Sequence, residues 1–251
     1  MASKNDWVFL LAKRILPAGF RDWLVKKRRQ YKLHGTLDFG DFNRLKPVSR
    51  VFGFDRGLPI DRYYIEKFLA NNSHLIKGRA LEMGDAFYIN KFGGGKVDQI
   101  DVMHVVEGNP DATIVADLCN ADHVDSDQFD CIIFTQSLQM IYDLKTALRT
   151  LHRILKPGGS LLLTSAGISK IARRLGVDDW GEYWHLTTQS AEALARETFP
   201  NGSYQVGSLG NVLSATCFLH GLASEEIPTE KLDYLDPDYE VIVTMVATKA
   251  S

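Results

Sequence analysis

The chain has 251 residues, 45% apolar and 24% charged, with a formal net charge of −2. That length suits one α/β domain with extra segments and a large core, so no disulfide or metal staple is required. The near-neutral balance argues against a whole-protein nucleic-acid binder, which carries a basic excess.

Cys119, Cys131 and Cys217 are widely spaced with no CxxC, which suggests neither a zinc site nor a disulfide framework and points to a reducing cytoplasm. The apolar run Trp7 to Ala12 is too short for a secretion signal and is followed by Lys13 and Arg14. No stretch approaches the roughly 20 apolar residues that span a bilayer.

In chain order, residues 1–58 are basic and aromatic. Trp7, Leu10, Leu11 and Ile15 share a helical face, and Phe20, Trp23 and Leu24 lead into Lys26-Lys27-Arg28-Arg29. The preferred reading is a helix packed on the core with a solvated basic end; peripheral contact with an anionic membrane is the other. After Pro59, the spacing of Ile60, Tyr64, Ile65, Phe68 and Leu69 predicts a helix, with Asp61 in its dipole-favoured first turn. Strands are predicted at Arg79–Gly84, Val97–Met103, Ala112–Ala116, Phe129–Phe134 and Ser160–Thr164. A helix over Asp143–Leu155 should stop at the turn Lys156-Pro157-Gly158-Gly159. A second helix is expected over Asn211–Leu222, and a late antiparallel strand near Val241–Thr248.

Four features fall in a telling order. Leu81-Glu82-Met83-Gly84-Asp85 ends strand one, Asp101 is read as the acid ending strand two, and Asp117-Leu118 follows strand three. Phe129-Asp130-Cys131-Ile132-Ile133-Phe134 then leads through a helix to Leu155-Lys156-Pro157-Gly158-Gly159. The set resembles the class I S-adenosylmethionine-dependent methyltransferases, especially their small-molecule branch. Arg50–Tyr64 and Gly210–Gly221 look like bacterial methyltransferases of glycan and natural-product assembly.

The resemblance implies a doubly wound, seven-stranded, mostly parallel sheet over 59–251, with 1–58 as an N-terminal extension capping the acceptor side together with the Asn211–Leu222 helix. It implies S-adenosylmethionine as cofactor, held by Glu82, Gly84, Asp85, Asp101, Asp117, Leu118 and Gln136 at the carboxyl ends of the strands. The family's loop after strand one usually has two or three glycines; here only Gly84 stands there, and Gly93-Gly94-Gly95 come later.

An acceptor site is expected after strand five, where Asp178-Asp179-Trp180-Gly181-Glu182-Tyr183-Trp184-His185 groups aromatic rings that stack on sugars with a histidine, a residue type able to take a proton from an acceptor. His185 is the first candidate for general base, with Asp179 beside it. Asp55, Arg56, Tyr63, Trp180, Tyr183 and Trp184 are the expected acceptor contacts, and no metal cluster is read. The expected activity is O-methylation of a sugar or natural-product hydroxyl. The alternative is a cofactor-binding or assembly subunit without catalysis. A nucleic-acid methyltransferase is disfavoured, because Thr135-Gln136-Ser137-Leu138 stands after strand four in place of an Asn-Pro-Pro-Tyr type of motif.

Overall fold

A computed structural model describes residues 16–33, 40–172 and 181–251. The chain forms two compact units, Met1–Leu45 and Lys46–Ser251. In the first, helix α1 (Ala18–Leu33) carries Phe20 stacked on Trp23 with ring centroids 5.3 Å apart, both rings about half exposed. The expected face from Trp7 to Ile15 lies outside the described residues. Among the described residues, no helix is long and apolar enough to cross a membrane.

The second unit begins earlier than the expected boundary at residue 59. The backbone N–H groups of Val48 and Ser49 both donate to His220 O, which ties residues 46–58 into this unit.

Its seven strands are β1 (Gly78–Met83), β2 (Val97–His104), β3 (Ile114–Val115), β4 (Phe129–Thr135), β5 (Leu155–Ala166), β6 (Ser203–Leu209) and β7 (Ile242–Thr248). They lie in the order β3-β2-β1-β4-β5-β7-β6. The first five are parallel, and β7 runs antiparallel between β5 and β6. The topology therefore reverses between β1 and β4, where open α/β sheets bind ligands.

Strand alternation sorts the core onto two faces. Leu81, Ile132, Phe134, Leu161 and Leu163 pack on one side against helices α4 (Leu144–Ile154) and α5 (Thr188–Thr198). Ala80, Cys131, Ile133 and Leu162 pack on the other against α2 (Ile60–Asn71) and the short α3 (Phe87–Phe92). Asp143 caps α4, accepting the Thr146 N–H at 3.0 Å, and α4 buries Ala147, Leu148, Leu151 and Ile154 as its spacing predicts. Helices α6 (Val212–His220) and α7 (Thr229–Leu232) precede β7; α6 is capped by Asn211 and ended by Gly221 at φ 73°.

Two elements differ from expectation. β3 shrinks to a two-residue ladder on β2. Lys156–Gly159, expected as a turn, instead lies inside β5. Leu155 already pairs with Phe129, and the next pair is Ser160 with Cys131, so the intervening residues bulge without leaving the sheet.

Candidate functional site

A cavity of about 590 Å³ opens at the carboxyl ends of β1 to β4. That size is in the range of small-molecule sites. One part is built by the strand ends: Met83 and Gly84 at the end of β1, Met103 to Val105 at β2, Ala116 to Leu118 after β3, and Phe134, Gln136 and Ser137 at β4.

Gly84 sits at φ 86°, its N–H continues the ladder to Met103 O, and a Cβ placed on it would meet nothing within 4 Å. The backbone can therefore come close to a ligand there. The departure from a multi-glycine loop has a structural reason. The Glu82 carboxylate accepts the N–H groups of Tyr88 and Ile89 at 3.1 and 2.8 Å, and Asp85 Oδ1 accepts that of Phe87 at 2.9 Å. The first donors of α3 are thus satisfied by side chains. Burial pushes the Glu82 carboxyl up to about 7, against the pull of those two donors. Glu82 and Asp85, expected as cofactor contacts, brace the loop and are not in the cavity wall.

Asp101 requires a correction. It lies inside β2, three residues before the strand end at His104, not at the end. Its buried carboxylate takes Arg79 Nε at 2.7 Å and Thr113 Oγ1 at 2.9 Å, so it locks β2 to its neighbours away from the cavity. His104 and Val105 occupy the place assigned to it.

Asp117 and Leu118 do line the cavity. Asp117 Oδ1 accepts the Cys119 N–H at 2.9 Å, and Leu118 is buried. Gln136 lines it too, at φ 50°; its Oε1 accepts Gln139 Nε2 at 2.9 Å, and Gln139 Oε1 accepts Ser165 Oγ. A non-glycine residue held in the left-handed region costs about 1–3 kcal/mol and marks a place the surroundings over-determine.

The other part of the wall combines Arg50, Val51, Phe52, Phe54, Asp61, Arg62, Lys170, Glu182 and Phe218. Ser49, buried, organises the first stretch: its Oγ accepts the N–H groups of Val51 and Gly53 and donates to Asp55 Oδ1 at 2.5 Å. The turn forces Phe52 to φ 61° and Gly53 to φ 93°. Phe52 packs on Phe218 at 5.8 Å, and Lys170 Nζ lies 3.3 Å from the Phe52 ring centroid. Burial holds Lys170 below the usual lysine range and holds the Asp61 carboxyl above its own. Arg62 donates to Tyr88 Oη at 3.0 Å, beside the loop after β1.

The expected acceptor residues divide. Asp55 is engaged by Ser49, Arg56 pairs with both Glu226 oxygens, and Tyr63 Oη donates to Asp233, so these three hold the fold and leave the cavity wall to their neighbours. His185 is outside the wall as well; its Nε2 stands 3.2 Å from Oε1 of Glu182, whose carboxylate is buried and also accepts the Ala172 N–H. Tyr183 and Trp184 are exposed. Trp184 Nε1 donates to Ile141 O at 3.1 Å, its ring stacks on Tyr142, and Tyr183 meets Tyr142 edge-on. Ile141, next in the chain, lines the cavity. Asp179 and Trp180 lie outside the described residues.

Lys170, Glu182, Phe52 and Gln139 were missed by sequence reasoning. The Arg50–Tyr64 pattern pointed to the stretch holding Phe52, whereas no spacing singles out Lys170 or Gln139. Among the described residues, no three His, Cys, Asp or Glu side chains stand together to hold a metal ion.

A family model described as a methyltransferase domain matches residues 50–200. The ubiquinone/menaquinone biosynthesis C-methyltransferase UbiE of Pectobacterium atrosepticum is 31% identical over 106 residues, covering 42% of this chain and 37% of that protein. The chain thus spans little more than a third of that relative. Among solved structures, an S-adenosylmethionine-dependent methyltransferase from Mesorhizobium loti is 15% identical with a TM-score of 0.49, covering 76% of this chain and 98% of that one. The YcgJ protein of Bacillus subtilis is 12% identical with a TM-score of 0.46, covering 75% and 99%.

Proposed function

The chain belongs to the methyltransferase-domain family, and from that premise we propose that it moves the methyl group of S-adenosylmethionine to a hydroxyl of a sugar or natural-product acceptor. One observation carries this reading. A single cavity joins the ends of four parallel strands to a polar and aromatic wall, so donor and acceptor share one space.

The residues fit the cofactor at several points. Gly84 leaves room for close approach, Asp117 keeps one carboxylate oxygen uncommitted among the described residues, and Leu118 with Met103 offers an apolar surface. Arg62, anchored by Tyr88 next to the loop after β1, offers a guanidinium to a carboxylate. The ribose-holding acid expected at the end of β2 is replaced by His104.

S-adenosylmethionine, when bound, supplies a methyl group already activated on a sulfonium centre, so the protein contributes mainly alignment. A hydroxyl acceptor must also lose a proton. Asp61 lines the cavity, and its carboxyl is raised by burial toward the range in which a general base works best. The exposed group of Tyr142, Tyr183 and Trp184 beside Ile141 supplies ring faces on which a sugar stacks.

A second reading, a cofactor-binding or assembly subunit without turnover, is favoured by the position of His185 outside the wall. Calorimetry with S-adenosylhomocysteine, followed by labelled methyl transfer to a panel of sugars and polyols, separates the two. No heat and no thermal shift at millimolar S-adenosylhomocysteine overturns both; binding without label transfer to any acceptor supports the second.

A further inference from the structure

We propose that Arg50 and Lys170 form an anion-binding subsite in the acceptor part of the cavity, so that the acceptor bears a phosphate or carboxylate near the hydroxyl that is methylated. The inference rests on the methyltransferase reading and narrows its substrate class.

The charges in the cavity wall are unequally engaged. Each acid has partners. Asp61 accepts the Arg62 N–H at 2.8 Å, Glu182 is held between His185 and the Ala172 N–H, and Asp117 accepts from Cys119. Arg62 is anchored by one hydrogen bond to Tyr88 beside the loop after β1. Arg50 and Lys170 are different: among the described residues neither donates a side-chain hydrogen bond nor forms an ion pair. Lys170 is half-buried and rests on the Phe52 ring; the Glu182 and Asp61 carboxylates attract it from a distance, but among the described residues no side chain accepts a hydrogen bond from its ammonium, so its donors are left unused. The lowered titration of Lys170 by burial is the signature of that cost. An anion bound there would supply the missing acceptor and regain charge-assisted hydrogen bonds.

The backbone supports a built site. Arg50 and Phe52 belong to one turn fixed by the buried Ser49 hydroxyl, and that turn tolerates Phe52 at φ 61°. Strain of this kind persists where the surroundings impose it, and here it sets the Phe52 ring against the Lys170 ammonium.

The carboxylate of the cofactor's methionine is the competing occupant. Arg62 is the cation tied to the loop after β1 through Tyr88, on the strand-end part of the cavity. Lys170 sits on Phe52, which packs on Phe218, and Arg50 lies two residues from Phe52 on the same turn. The anion they await is therefore the acceptor's.

The test uses protein saturated with S-adenosylhomocysteine. Inorganic phosphate, glucose 6-phosphate, glucuronate and glucose are titrated by calorimetry into wild type, Arg50→Ala, Lys170→Met and Lys170→Arg. The expected result is that at least one anionic probe binds tenfold or more tightly than glucose. Arg50→Ala and Lys170→Met should each weaken it by about ten- to a hundredfold, the scale of a hydrogen bond to a charged group, and Lys170→Arg should retain most of it. Preference for glucose 6-phosphate or for glucuronate tells the phosphate source from the carboxylate one. Anions that bind no better than glucose, or equally well in Lys170→Met, overturn the proposal. So does a tenfold loss of S-adenosylhomocysteine affinity in Lys170→Met, which would give the pair to the cofactor. Failure of wild type to bind S-adenosylhomocysteine sinks the methyltransferase reading instead, and the same titrations on the unliganded protein still decide the anion subsite.

Discussion

Replacing Glu82 by Gln tests the brace under the loop after β1 without any knowledge of the acceptor. The side chain is buried, and its two oxygens take the N–H groups of Tyr88 and Ile89. The amide keeps the shape and one acceptor but sets an NH₂ group against the other N–H, a fixed cost of about 1–3 kcal/mol. The informative part depends on pH. The carboxyl titrates at about 7 in the folded chain against an ordinary value of 4.5. The native state therefore binds more protons than the unfolded state between those values, and stability falls as pH rises. The contribution is fully present below the unfolded value and is lost as pH rises through the folded one. Its full size is about 3 kcal/mol, of which about 2 kcal/mol falls between pH 5.5 and 8. The substituted amide does not titrate, so the stability difference between wild type and Glu82→Gln isolates this group from all others. Urea unfolding at half-unit pH steps should show wild type losing about 2 kcal/mol relative to the variant across that window. Parallel curves would refute the reasoning and show that the two backbone donors cancel desolvation.

Asp101→Ala should cost about 1.5–3 kcal/mol of stability through loss of the Arg79 and Thr113 contacts while leaving S-adenosylhomocysteine affinity unchanged; a tenfold loss of affinity with an unaltered melting profile would return Asp101 to the cofactor. Gly53→Ala places a Cβ 2.8 Å from Leu222 O at φ 93°, so the melting midpoint should drop by the equivalent of about 1–3 kcal/mol, and an unchanged midpoint means the turn can rearrange. His185→Ala, which removes a partner of Glu182 outside the cavity wall, should lower methyl transfer less than tenfold; a hundredfold loss or more restores the histidine as base. Asp61→Asn should lower turnover by about 10²- to 10⁴-fold at unchanged cofactor affinity. Wild-type turnover should rise with pH through a carboxyl raised above its usual range; a pH-independent rate argues against a base there.

The sheet was legible because its signals are local. β4 and the later part of β5 are nearly continuous apolar runs, as strands buried on both faces must be, and the α4 stripe has helical spacing with a capping Asp143. β3 was overextended because only two residues of the apolar run actually pair. Lys156-Pro157-Gly158-Gly159 has turn chemistry, but the Phe129–Leu155 pair keeps the bulge in the sheet, a long-range contact that composition does not carry. The cavity wall was legible where it follows from strand ends, at Gly84, Asp117, Leu118 and Gln136, which line it. It failed at Asp101, because an acid inside a strand and one at its end look alike in sequence until the strand length is known. His185 stood out by residue type, whereas Glu182, three positions earlier, enters the cavity because its carboxylate is drawn in by the Ala172 N–H and His185. Lys170 has no partner in sequence; only the turn that carries Phe52 reveals it.

The position of β7 bears on how the chain is made. β7 follows all six other strands of the sheet in the chain, yet it lies between β5 and β6 and pairs with both along its length. Among the described residues β6 pairs with the sheet through β7 alone, so neither edge of the gap can close while the ribosome still holds residues 242–248. Until those residues emerge, β5 presents an unpaired edge of apolar residues, the kind of surface that recruits strands from other chains. A stall or a stop codon shortly before Ile242 should therefore yield aggregating nascent chains, with the parallel strands already synthesised and no partner to seal them.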